Sequence, residues 1–228
     1  PQIFLPLSVG VVMLAYFILH ERRTRQPMLP LGLFKARNFW VGNLATFAVY
    51  AGLSVATFLV VVFMQQVGGY SAFEAGLALV PVTLLMFVLS SRFGALAGKY
   101  GPRFFMAAGP ILAGLGFVLI AMVGRDMSYW TDLLPGIVLF GIGLSVTVAP
   151  LTAAILGSIE KSQAGIGSAV NNAVARIAGL VAIAMLGLVT GPELTLEGFQ
   201  DGSIATASLL FVGGVISAIG IQNLSKDG

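Results

Sequence analysis

Polar side chains interrupt the apolar runs of this sequence at helical spacing, and they are the first places to look for chemistry. In the run 38–64, Asn43, Thr46, Tyr50, Ser54 and Thr57 recur every three or four residues, which sets them on one face of a helix. Such a stripe can hydrogen-bond a solute in a cavity, or it can bond neighbouring helices, and both readings stand. Ser145, Thr147 and Thr152, around Pro150, form a sparser counterpart in 133–156. The costliest group is Arg176 in 164–190, with Asn172 one turn before it. A guanidinium at the centre of a membrane helix costs about 2.5–3.5 kcal/mol on insertion scales. It can serve a gate or cavity whose partner lies elsewhere, or it can cap carbonyls between helices. Asn171 with Gly165, Gly167 and Gly179 on the same run points to close helix approach.

These residues read as recognition or packing groups, and no bond-making signature accompanies them. The sequence holds no H-E-x-x-H, no G-x-S-x-G and no phosphate-binding glycine loop. With no cysteine it has no disulfide framework, thiolate metal site or cysteine nucleophile. No catalytic residue, metal site or cofactor is therefore expected. The acids all fall at or beyond the ends of the apolar runs, and the one histidine is His20. Proton coupling usually draws on a carboxylate or histidine inside the membrane. A proton gradient, if it is the energy source, has to be sensed outside this sequence.

The elements that position these residues follow from composition. The chain is 57% hydrophobic and 9% charged, with a mean hydropathy of +0.97; soluble domains carry about 25% charge. Runs of ~20 apolar residues cross a bilayer as helices. Seven are expected, at 2–19, 38–64, 74–92, 104–123, 133–156, 164–190 and 204–222. The partner this predicts is a lipid bilayer. The net charge of +3 reflects loops between spans and not a nucleic-acid surface. Glu21, Arg22, Arg23, Arg25, Lys35, Arg37, Arg92, Lys99, Arg103, Glu160, Lys161, Lys226 and Asp227 share one side, which is net basic. Glu74, Arg125, Asp126, Asp132, Glu193, Glu197 and Asp201 share the other, which is net acidic. The basic side is expected to be cytoplasmic, C-terminus included, in a multi-pass protein of the cell membrane.

Three segments are expected: a leading transmembrane helix over 1–19, a basic linker over 20–37 and a six-helix unit over 38–228. The linker reads equally as a plain connection or as a stretch lying in the interface. The six-helix unit contains a faint repeat. Gly52-Leu53-Ser54-Val55 returns as Gly143-Leu144-Ser145-Val146, and Ser71 with Glu74-Ala75-Gly76 as Ser162 with Gln163-Ala164-Gly165. Three spans per unit forces the two units into opposite orientations, as in secondary transporters. The chain opens on Pro1, already near an apolar run and without a signal-peptide pattern. The expectation is a C-terminal piece of a longer transporter.

Gly94-Ala-Leu-Ala-Gly-Lys-Tyr-Gly-Pro-Arg103 resembles the G-x-L-a-D-r-x-G-x-r loop of the major facilitator superfamily. Pro150 to Ala154, Val170-Asn-Asn-Ala-Val-Ala-Arg176 between Gly165 and Gly179, Tyr70-Ser71, Glu74 to Ala78 and Pro81 resemble its 14-helix drug:proton antiporter branch. The resemblance implies an all-α integral membrane fold, one leading helix plus a six-helix (3+3 inverted repeat) C-terminal domain. It implies an exporter of small amphipathic compounds, working by alternating access with proton antiport and completed by an N-terminal half. Another substrate class or an uncoupled half is the alternative; a seven-helix receptor fits least well. By the same likeness the second and fifth spans line the cavity, the third and sixth face the other half, and the fourth and seventh are outermost. Asn171, Asn172 and Arg176 fall where the two halves meet. In the loop motif, which includes Gly101, Gly94 and Gly98 imply close helix contact, and Lys99 and Arg103 anchor the basic side. Gly98 stands where the family usually has Asp, which leaves the loop's charge relay in doubt.

Overall fold

In this computed structural model the helices do not always end where the apolar runs stop, and two of them start at side-chain caps. Residues 4–23, 28–124, 127–191 and 193–223 are described; Arg25, Arg125, Asp126, Lys226 and Asp227, which entered the charge reading, lie outside them. Helix α1 covers Phe4–Arg23, α2 Arg37–Gln66, α3 Ala72–Leu77, α4 Val80–Tyr100, α5 Pro102–Ile120, α6 Leu134–Leu156, α7 Ala164–Thr190 and α8 Leu196–Gly220. Among the described residues, six helical stretches are long and apolar enough to cross a membrane, beginning with α2. The 20 residues of α1 form the leading helix, which runs one turn beyond the expected end at residue 19.

Three further differences from the sequence reading have local causes. The third span divides into α3 and α4, joined at Ala78 and Leu79. Ser71 opens α3 with a reciprocal cap: its Oγ accepts from the Glu74 N–H at 3.3 Å, and its own N–H donates to Glu74 Oε2 at 2.8 Å. Pro81 lies in the first turn of α4, where a missing N–H costs nothing. At its other end α4 runs on to Tyr100, so Gly94, Gly98 and Lys99 are helical and the expected loop shrinks to Gly101. Gly101 has φ +90°, open to glycine and strained for other residues. Helix α8 starts eight residues before the expected boundary at residue 204: Thr195 caps Gly198 N–H at 3.1 Å, and Glu197 in the first turn suits the positive end of the helix.

The packing has an exchange symmetry. Helix α2 packs on α7 and α8, α6 packs on α4 and α5, α5 packs on α8, and α2 meets α6. Swapping α2 with α6, α4 with α7 and α5 with α8 returns the same set of neighbours. That is what an inverted three-and-three repeat requires. The sequence repeat sits at equivalent seams. A Cβ on Gly52 would press on Leu210 of α8, at 3.0 Å, and one on Gly143 would strike the Ala113 amide and Gly109 carbonyl of α5. Small residues let these backbones approach, as in membrane bundles generally. The same seams carry ring pairs, Phe63 stacked on Phe199 and Phe117 edge-on to Phe140.

Two symmetry-related elements are left bare. Only 17% of the central window of the α3–α4 stretch, and 17% of that containing α7, is buried, against 44–61% for the other four spans. Phe87, Leu180 and Leu188 stand 84%, 72% and 82% exposed on them.

Candidate functional site

The polar stripe of α2 lies along its seam with α7. Asn171 of α7 donates from Nδ2 to Thr46 Oγ1 at 2.8 Å and to Asn43 Oδ1 at 3.3 Å. Asn43 donates in turn to the Phe39 carbonyl at 2.8 Å, and Thr46 to the Gly42 carbonyl at 2.9 Å. Asn43 and Thr46 are buried, so every polar group of this cluster that is removed from solvent has a partner. Two turns further on, Gly179 lets α7 approach Ser54 so closely that a Cβ there would strike the Ser54 hydroxyl. The pairs 43/46–171 and 54–179 advance in the same direction, so α2 and α7 run parallel. Tyr50, Ser54 and Thr57 are half-buried. Thr57 returns its hydroxyl to the carbonyls of Leu53 at 3.0 Å and Ser54 at 3.1 Å.

In α6, Ser145 and Thr147 are buried and bond the carbonyls of Gly141 and Gly143, each at 2.7 Å. Thr152 is exposed and bonds the Val148 carbonyl at 3.1 Å. The helix runs unbroken through Pro150. The fifth-span residues thus divide: Thr147 lies against Gly109 in the α5–α6 seam, Ser145 is buried within the bundle, and Thr152 is on the surface.

Asn172 and Arg176 are both exposed, one turn apart on the bare face of α7. Asn172 is tied back to the Ser168 carbonyl at 3.1 Å. Arg176 makes no hydrogen bond or ion pair among the described residues. A charge with five donors thus projects from a face otherwise made of Ala173, Ile177 and Leu180.

The basic end holds a second polar constellation that periodicity does not reveal. Arg37 reaches across to the end of α8, its Nε bonding the Gly220 carbonyl at 2.9 Å and its Nη2 the Ile219 carbonyl at 3.2 Å. Arg103 bonds the neighbouring Ala218 carbonyl at 2.8 Å through Nε. Two guanidiniums therefore cap the free carbonyls at the negative end of one helix. Asn38 exchanges two hydrogen bonds with the Gln222 backbone, at 2.8 and 2.9 Å, and Asn223 Oδ1 accepts from the Arg103 N–H at 3.1 Å. Gly101 lies against the same Asn223 side chain. Of the remaining motif residues, Gly94 faces Ala149 of α6, Lys99 lies over the Tyr100 ring at 5.2 Å, and Gly98 meets nothing within 4 Å. Gly98 is on the outward face of α4, so close helix contact is made at Gly94 alone. No cluster of metal-ligating side chains occurs among the described residues.

Comparison with known proteins points the same way. The family model for the Major Facilitator Superfamily matches residues 3–183. The lincomycin resistance protein of Streptomyces lincolnensis is 30% identical over 228 residues, covering 98% of this chain and 47% of that protein. The methylenomycin A resistance protein of Bacillus subtilis is 30% identical over 197 residues, 83% of this chain and 41% of its own length. The multidrug efflux pump LfrA of Mycolicibacterium smegmatis is 29% identical over 183 residues, 80% and 36%. The chain spans less than half the length of each of these relatives.

Proposed function

The chain belongs to the major facilitator superfamily, and on that premise we propose that it forms the C-terminal portion of an exporter of small amphipathic compounds. It is a multi-pass membrane protein. The observation that carries the proposal is the pair of bare, symmetry-related helices α4 and α7, with unpartnered Arg176 on one of them. A lone guanidinium is costly against lipid and favourable against a polar partner or water. In this reading the bare faces receive the N-terminal half, and Arg176 with Asn172 lies at the boundary where the halves rock. The names of the relatives, which include resistance proteins and an efflux pump, support the substrate class.

Alternating access needs a seam that holds and a face that moves. The Asn43–Thr46–Asn171 cluster supplies the first by tying α2 to α7, so that the pair moves as a body. Tyr50, Ser54 and Thr57, half-buried beyond the cluster, are the residues of α2 that this reading turns toward the substrate path. A proton gradient is the proposed energy source, sensed by acids of the N-terminal portion. The protein lies in the cell membrane with Lys99, Arg103 and Lys161 on the cytoplasmic side.

Dye efflux from cells expressing the full-length protein tests this, measured with and without a protonophore. Export that stops when the gradient collapses is expected. Export that ignores the gradient overturns the coupling, and no export overturns the proposal.

A further inference from the structure

At the end of the bundle opposite Lys99 and Arg103, a cavity of about 530 Å³ opens between the last turn of α2, the start of α3 and α4, and the turn that leads into α6. Its walls include Met64, Tyr70, Tyr129 and Trp130, and its one carboxylate is Glu74; no lysine or arginine lines it among the described residues. The rings are held in place. Tyr129 donates its hydroxyl to the Ala78 carbonyl at 3.0 Å and meets Trp130 edge-on at 5.3 Å between centroids. Trp130 is itself 73% exposed, a large ring with one side uncovered. Glu74 is fixed as well, its Oε2 accepting from both the N–H and the hydroxyl of Ser71 at 2.8 Å.

Aromatic faces attract cations, most strongly where water is excluded, and a sulfur beside them adds a polarizable wall. A carboxylate at the same cavity adds a counter-charge that no lysine or arginine among the described lining residues neutralises. A neutral or anionic guest would gain nothing from that charge, and a strongly hydrated ion such as sodium would lose its shell against the rings. We propose that this cavity binds a hydrophobic organic monocation, as a station for cationic substrates at the end of the transport path. The assignment rests on the exporter reading and adds a place and a charge to it.

The test uses the full-length protein, with cysteines outside this chain replaced, in vesicles of phosphatidylethanolamine and phosphatidylglycerol so that no choline headgroup competes. Leu77, which lines the cavity, becomes the reporter as Leu77→Cys, and the rate of its maleimide labelling is read. Tetraphenylphosphonium is expected to slow labelling. Glu74→Gln preserves the Ser71 capping box, since glutamine serves at that position, and removes only the charge. It and Trp130→Ala should each raise the protecting concentration about fivefold. Triphenylphosphine oxide, a neutral molecule of similar shape, should protect weakly and equally in all three proteins. Failure of tetraphenylphosphonium to protect, or equal protection of Glu74→Gln and its parent, overturns the site and leaves Trp130 as an interfacial anchor. Gradient-driven efflux from the same vesicles separates the two readings: efflux without protection removes the cavity alone, and absent efflux removes the exporter.

Discussion

Among the described residues, Asn171 is the one side chain of another helix that hydrogen-bonds Asn43 and Thr46 of α2. Replacing it with alanine leaves the buried Asn43 Oδ1 without its donor and Thr46 Oγ1 with only its bond to the Gly42 carbonyl, and should cost about 1–3 kcal/mol, read as a lower Tm of the purified full-length protein. Because the partners share the bond, Asn171→Ala and Thr46→Val should fail to add, with a coupling of about 0.5–3 kcal/mol in a double-mutant cycle. Additive losses would mean that the seam is held by its apolar packing alone. Arg176 should behave in the opposite way. It is exposed and unpaired here, so Arg176→Gln should shift stability by no more than about 0.5 kcal/mol while abolishing most efflux. Normal efflux would place the guanidinium outside the transport cycle.

Helix contacts turn on small residues at the seams. Gly143→Ala drives a methyl into the backbone of α5 and should destabilise by about 1–3 kcal/mol, whereas Gly98→Ala has open space and should gain about 0.5–1 kcal/mol from helix propensity. Thermal unfolding of the two variants decides the point; equal effects would mean that α5 and α6 are not in close contact. These elements also mark what could be read in advance. Each of the six crossing stretches between α2 and α8 was legible, because hydrophobic length alone identifies a crossing helix. Its ends were not: α4 continues through Arg92 and Lys99, and α8 begins before Asp201, because charged side chains at a membrane boundary can reach water from a helix. The α2 stripe was legible from its spacing, but its neighbour was not, since periodicity names a face and not what covers it. The cavity walled by Tyr70, Glu74 and Trp130 left no signal, for it is assembled from the connections of spans far apart in sequence.

At the scale of the molecule, the proposed orientation rests on charge asymmetry. Basic residues gather where α2 begins and α4 ends, and acids where α7 ends and α8 begins. In intact cells, an impermeant thiol reagent should label Glu193→Cys directly and Lys161→Cys only after permeabilisation, in full-length protein without other cysteines. The reverse pattern would invert the proposed topology. The exchange symmetry adds a mechanical point. With α2 and α6 in equivalent surroundings, both triplets are held together by the same kinds of contact, which suits the rigid-body motion proposed for the domain.

The clamp at the end of α8 has a consequence for biosynthesis. Arg37 and Asn38, at the start of the first helix of the bundle, are held by carbonyls and amides between Ile219 and Gln222, at its end. A ribosome has to deliver the whole bundle before these groups meet. Until then α2 waits in the bilayer with its seam for α8 open, Phe63 lacking Phe199, and the bundle can be threaded but not closed. These late-made residues therefore act as the closing stitch. A stop codon in place of Ile221 removes the Gln222 and Asn223 contacts of Asn38 and Arg103 and should yield a protein that inserts normally and is cleared by membrane quality control, read as a shortened half-life in a chase.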